Sequence, residues 1–291
     1  MDQSPDLPLS SNHDPEARSY PDWREKSIKA EELDQVLLRR AEGSLRTVLD
    51  VLLHDEEVHL MQSYANTVSV RRLGYNDHGP VHARITTYNA LKILRLLDKG
   101  GVTPSLVAEQ VGTYEDAQVG LAIGCFLHDV GMGVARKDHE HYGIQLADDI
   151  IKRVLAAVYP SGDARRIYLR ALAHECIAGH MATYRIHSVE AGVVLVADGS
   201  DMAKGRSRIS QLISQQATVG DIHRYSASAI DRVDIKAGEA KPVSITATMA
   251  NVTGLFQVEE VLMTKVKASP IMQYMEVKAL VGDDPPRYYL R

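Results

Sequence analysis

Aromatic residues are scarce in this chain, with one Trp and two Phe among 291 residues. Stacking platforms for single-stranded nucleic acid are therefore not evident. Basic residues are in the minority as well, 33 Lys and Arg against 38 Asp and Glu, for a formal charge of -5. That balance removes the electrostatic footprint of a general nucleic-acid binder, although a local basic pocket stays possible. The two cysteines, Cys125 and Cys176, are too few for a disulfide framework or a zinc ribbon. Each lies in an apolar helical segment, where a free thiol behaves as a small hydrophobe and suits a reducing compartment. No run of about 18 apolar residues occurs, so no membrane-spanning helix is expected. The first residues, MDQSPDLPLSSNHDPEARSYPDW, are polar and rich in Pro and Ser, without the apolar centre of a secretory signal. The expected location is the cytoplasm.

What the chain does have is apolar residues in regular patterns. At 45% hydrophobic and 24% charged it can bury a substantial core. Residues 1–25 are expected to be a flexible tail. From 28 to 66, Leu33, Val36 and Leu37, then Leu45, Val48, Leu49 and Leu52, recur at helical spacing. RRLGYNDHGP (71–80) predicts a loop whose Pro80 opens the next helix, which ends near Gly100-Gly101. AQVGLAIGCFLHDV (117–130) is apolar nearly all round and is expected at the centre. Helices near 138–158, 164–177 and 188–203 complete a bundle spanning 26–225. After that the period changes to two. Val243, Ile245, Ala247 and Met249 share one strand face, Met275, Val277, Ala279 and Val281 another, and Val233 with Ile235 suggests a third. Between them Leu255, Val258, Leu262 and Val266 form a helical stripe. The fold expected is mainly α, a helical bundle with a small C-terminal α+β appendage of β-β-α-β order over 226–291.

The chemistry is suggested by position rather than number. His82 lies in line with Ile85 and Ile93. His128 and Asp129 end the most hydrophobic helix. His174 follows Ile167 and Ala171, and Asp198 follows Ala191, Val194 and Leu195. Each places an ionisable group on a face expected to point inward, where an unpartnered charge costs several kcal/mol. For any one of them, a core histidine bonded to a backbone carbonyl is the simpler account. For four elements together, a shared metal ion satisfies all at once, and imidazole with carboxylate suits a divalent transition metal. Helical bundles build such sites from inward side chains on facing helices.

The ordered set His82, His128-Asp129, His174 and Asp198 resembles the HD superfamily of metal-dependent phosphohydrolases, over residues 75 to 210. GCFLHDVG is similar to the family's LHD-aliphatic-G element. HEHYGIQLADDII resembles its H-x-x-x-G helix, with His139 on the matching position and His141 as a rival. VVLVADGSDMAKGR resembles the final ADxxDA…R element. The resemblance implies one metal on His82, His128, Asp129 and Asp198. It implies a second where further histidines are present, for which His139 and His174 are the candidates and Asp129 the natural bridge. His78 is close enough in sequence to approach the site, while His180 and His187 are expected at the rim or surface. Met132 stands where cyclic-dinucleotide-cleaving HD-GYP relatives carry Lys, and no GYP signature follows. The branch implied is therefore an uncharacterised prokaryotic one.

The function this implies is hydrolysis of a nucleotide or other small phosphoester, with one or two ions of manganese, iron, cobalt, nickel or zinc. Asp129 is the expected catalytic residue. Among the nearby cations Arg136, Lys137, Lys204, Arg206 and Arg208, the choice for substrate binding is Lys204 and Arg206. Glu140 and Glu175 flank the histidines as candidates for positioning water. Two other classes stay open at this stage: an HD-fold diiron oxygenase, and a non-catalytic metal-containing regulatory module. In either case the C-terminal region offers a route to homo-oligomers by strand pairing.

Overall fold

The computed structural model describes residues 26–203 and 226–291; the expected N-terminal tail lies outside them. The chain is mainly helical. In order come α1 (Ile28–Arg40), α2 (Gly43–His54), α3 (Glu56–Thr67), α4 (Pro80–Lys99), the short α5 (Ser105–Ala108), α6 (Tyr114–Leu127), α7 (His139–Ala156), α8 (Arg165–Gly179) and α9 (Val189–Ser200). The single helical pattern over 28–66 is divided into three where local chemistry favours ends. Ser27 and Asp55 accept the N3 amides of α1 and α3, and Asp55 so starts α3 directly after α2. A capping box of Thr113 and Asp116 starts α6, Pro80 opens α4, and Ser188 caps α9.

The two most apolar helices lie deepest. Nearly every residue of α6 beyond its first turn and every residue of α9 except Val189 is buried. Around α6 pack α2, α4, α8 and α9, and α7 packs on α8. Ile93, Leu94, Leu97, Leu121, Ile123, Val194 and Leu195 are all at 0% exposure. Each such side chain contributes about 1.5–3 kcal/mol through burial. Truncating Leu94 to Ala is expected to cost about 2–5 kcal/mol, because the close-packed surroundings collapse only partly.

The C-terminal part carries β1 (Ile230–Lys236), β2 (Val243–Met249), β3 (Met275–Val281) and β4 (Arg287–Leu290) in that order across one sheet. β1 pairs antiparallel with β2, and Ile235 faces Ile245. β2 pairs parallel with β3, from Val243 opposite Met275 to Met249 opposite Val281. A parallel pair needs a crossover. It is supplied by a π-helical turn at Gln257–Leu262 that runs into α10 (Met263–Ala268). The predicted stripes of β2 and β3 are the buried ones, and Val258, Leu262 and Val266 cover the crossover's inner face at 0% exposure. The order is β-β-α-β-β rather than β-β-α-β. The extra strand, RYYL, is four residues long with no fully buried position, too short for a period-two signal.

This appendage rests on the bundle. α10 and the turn before it contact α9, and β1 and β2 contact α4. Ser269 Oγ donates to the Gly192 carbonyl of α9 at 3.1 Å. Among the described residues no helix is long and apolar enough to cross a membrane.

Candidate metal centre

Five helices bring their ends to one place. His82 stands in the first turn of α4, His128 and Asp129 at the end of α6, His139 at the start of α7, His180 just past α8, and Asp198 in the last turn of α9. All six are buried, and the four histidines are each 1% exposed. Two glycines set the spacing between α6 and α7. A Cβ on Gly131 would lie 1.9 Å from the His139 carbonyl oxygen and 2.5 Å from the Gly143 nitrogen. Backbone therefore touches backbone, and only glycine lets the turn after Asp129 (Val130–Gly133) approach α7 closely enough to face His139. The G of the LHDVG element and the G four residues after His139 are thus two sides of one contact.

The imidazoles are oriented by acceptors. Nδ1 of His128 donates to the Cys125 carbonyl at 2.8 Å, that of His139 to the Arg136 carbonyl at 3.0 Å, and that of His180 to the Ile177 carbonyl at 2.7 Å. His82 Nδ1 is held by the Asp201 carboxylate at 2.7 Å. A carbonyl can only accept, so those Nδ1 atoms each carry a proton, and the tautomer this selects presents a bare lone pair at Nε2. Yet the Nε2 atoms face one another: His82 and His128 at 3.1 Å, His139 and His180 at 2.9 Å. They also face carboxylates. Asp129 Oδ2 lies 3.1 Å from His128 Nε2 and 3.4 Å from His82 Nε2, and its Oδ1 lies 3.2 Å from His139 Nε2 and 3.5 Å from His180 Nε2. Asp198 Oδ1 lies 3.1 Å from His82 Nε2.

Lone pairs converging on lone pairs and on anions repel unless a cation stands among them. Burial holds His180 down to about 4, the nearby Asp129 carboxylate opposing it, so this ring is neutral near pH 7 and does not supply that cation. The donor set, four imidazole nitrogens and two carboxylates with the outer ring nitrogens already fixed, fits a metal ion. The buried groups can hold a metal ion, with His82, His128 and Asp198 forming one set and His128, Asp129 and His180 another.

The carboxylates are kept ionised. Burial alone would raise Asp129, but the imidazoles packed around it, His128 first and then His78 and His139, hold it well below the usual range. Burial would raise Asp198 too, and Lys265 with His82 and His128 outweighs it. Lys265 comes from α10. Its ammonium donates to Asp198 Oδ2, and its stem crosses Gly199, where a Cβ would lie 3.0 Å from Lys265 Cδ. The appendage thereby reaches a residue of the cluster.

Six of the predicted ligand and bridging positions can now be placed. His82, His128, Asp129, His139 and Asp198 are brought together. His174 is not: it is partly exposed and faces Asp148, with its Nε2 3.2 Å from Oδ1. The reason lies in the stripe chosen. Ile167 is 64% exposed, so Ile167, Ala171 and His174 mark the outer face of α8. The inner stripe is Leu169, Leu172, Ala173, Cys176 and Ile177. It continues to His180, three residues past Ile177, and that spacing was the available signal. His180 therefore takes the inward position, neither rim nor surface. His141, the rival of His139, is exposed against Tyr184. His78 lies outside the helix yet reaches the cluster, with Nδ1 2.7 Å from Asp129 Oδ2. Asn66 accepts its amide, and Asp77 accepts the amide of Gly79, so the NDHG sequence is wound into a fixed turn. Glu140 accepts from Thr183 through Oε1 and keeps Oε2 3.5 Å from His139 Nδ1, whereas Glu175 accepts the His187 and Ser188 amides. Lys204 and Arg206 lie outside the described residues. Asp201 stands at the second Asp of the ADxxDA-like element, although the sequence alone assigns it no role; Lys265, 67 residues from its partner, had no sequence signal.

An uncharacterized protein of Methanocaldococcus jannaschii is 38% identical to this chain over 255 residues, spanning 88% of this chain and 96% of that protein. A match of that length takes in part of the C-terminal appendage as well as the bundle. No family model matches the chain, and no solved structure matches it.

Proposed function

The chain belongs to the same family as that archaeal protein, and from its buried centre we propose that it is a metal-dependent phosphohydrolase of the HD type. One observation carries the reading. The Nε2 lone pairs of His82, His128, His139 and His180 converge on Asp129 and Asp198 while every Nδ1 is committed elsewhere. Asp129 offers Oδ2 to the side of His82 and His128 and Oδ1 to the side of His139 and His180. That division supports two ions, for which His82, His128, Asp129 and Asp198 would be one set of ligands and Asp129, His139 and His180 the other. The chemistry such ions supply is activation of water near neutral pH and withdrawal of charge from a phosphoryl group.

The chain's own residues do the positioning. Three backbone carbonyls and Asp201 fix the rings so that no imidazole turns its Nε2 away. Lys265 holds Oδ2 of Asp198, leaving Oδ1 toward His82. The apolar walls of α6 and α9 keep bulk water from the inner side, which strengthens every electrostatic contact there.

The test is metal content by mass spectrometry of protein purified without added metal, followed by a panel of nucleotides and simple phosphoesters. About two transition-metal ions per chain, lost in His128→Ala together with phosphate release, is the expected result. Oxygen consumption with a substrate, without phosphate release, would instead identify a diiron oxygenase. No bound transition metal after reconstitution with manganese or iron would overturn the proposal.

A further inference from the structure

Arg136 is half-buried, yet no carboxylate among the described residues pairs with it. Among the described residues its Nη1 meets the sulfurs of Met132 at 3.8 Å and Met181 at 4.0 Å, both weak acceptors, and its guanidinium lies 5.4 Å from the centre of the Tyr75 ring. Each of these neighbours adjoins the metal centre along the chain. Met132 follows Asp129 by three residues, Met181 follows His180 directly, and Tyr75 precedes His78 by three. The carbonyl of Arg136 itself orients His139. The guanidinium is thus held where the loop 73–79, the turn after α6 and the turn after α8 meet. The most exposed histidine of the cluster is on that loop: His78 is 14% exposed at its side chain, against 1% for His82, His128, His139 and His180, and Tyr75, Arg136 and Met181 are half-buried as well.

A partly desolvated guanidinium with no anionic partner among the described residues keeps its fork of N–H donors for an incoming anion, and that fork matches phosphate bidentately. Sulfur and aromatic neighbours hold it in place without satisfying it. We propose that Arg136 receives the phosphoryl oxygens of the substrate. The substrate class is then a phosphoester whose organic part is apolar or planar enough to lie against Tyr75 and Met181. Its place in turnover rests on the phosphohydrolase reading, whereas its binding of an oxyanion does not.

The experiment is titration calorimetry of orthophosphate into the metal-loaded full chain, in wild type, Arg136→Met and Arg136→Lys. Metal content and melting temperature are measured alongside, and kinetics with p-nitrophenyl phosphate follow. Arg136→Met keeps the apolar contacts and the backbone carbonyl that orients His139, so metal content and melting temperature stay at wild-type values. Phosphate binding is expected to weaken roughly 10- to 100-fold, the size of a charge-assisted pair. Arg136→Lys is expected to recover only part of this, because an ammonium cannot bind in the forked geometry. Unchanged phosphate affinity in Arg136→Met overturns the inference, whether or not the protein is a phosphohydrolase. So does an absence of phosphate binding by the wild type. If affinity falls as expected and no phosphoester is turned over, the oxyanion site stands and the phosphohydrolase reading fails.

Discussion

Replacing His180 and His174 separately by Ala distinguishes the inward histidine from the outward one. His180 is 1% exposed, and its ring centroid lies 4.8 Å from those of both His128 and His139. In the metal-free protein its removal relieves the 2.9 Å approach of two Nε2 lone pairs, so the cost of the lost packing is partly offset. In the metal-loaded protein it removes a ligand. An ion present at about 100 times its Kd stabilises the folded state by about 2.7 kcal/mol. At about 2–4 °C per kcal/mol for a chain of this size, losing one ion lowers the melting temperature by about 5–10 °C. His174 is partly exposed and faces only Asp148 across 3.2 Å, a pair of the exposed kind worth about 0–1 kcal/mol. His174→Ala should therefore shift the melting temperature by no more than about 2–4 °C and release no metal. The assay is thermal melting with and without manganese, together with metal analysis of each variant. The His180→Ala deficit should appear mainly in the presence of metal. Retention of the full metal complement by His180→Ala, or loss of an ion by His174→Ala, refutes the assignment.

Three further outcomes are expected. Gly131→Ala forces a Cβ against the His139 carbonyl and should cost about 1–3 kcal/mol, with metal lost first from the His139 and His180 side, measurable by melting and metal analysis. Lys265→Met keeps the stem over Gly199 but leaves Asp198 buried without its ammonium. Removing one partner of a buried pair costs about 3–5 kcal/mol. The loss should shrink when a metal supplies the missing charge, and equal losses with and without metal would count against a shared role. Burial and a 2.6 Å hydrogen bond to Asp116 push the Tyr159 phenol far above its ordinary value of 10. A raised pKa gives stability that is fully present below the unfolded value and lost as pH rises through the folded one. The stability advantage of wild type over Tyr159→Phe should therefore be greatest below about pH 10 and shrink above it, as followed by urea unfolding at several pH values.

Much of the fold was legible because period and chemistry agreed. The stripes Val243 to Met249, Met275 to Val281 and Leu255 to Val266 are the faces that the structure buries. At α8 two stripes competed, and the one containing Ile167 was the wrong choice. A single apolar residue at 64% exposure is ordinary on a protein surface, and one sequence cannot tell it from a core residue. His180 is expected at the rim or surface, yet it follows the helix on its inner stripe. Its Nδ1 continues the same three-residue back-bond to a carbonyl that orients His128 and His139.

By itself the sequence determined most of the local elements, the central place of the 117–130 helix, and that His128 and Asp129 end it. These are consequences of near-neighbour spacing, capping and apolar patterning. Tertiary structure alone decided that Asp201 orients His82, that Lys265 crosses from the appendage to Asp198, and that His78 reaches Asp129 from a loop. Those contacts join residues 119, 67 and 51 positions apart. No periodicity links such positions; they meet because helix packing and the glycine contact at Gly131 and Gly143 bring five helix ends to one point.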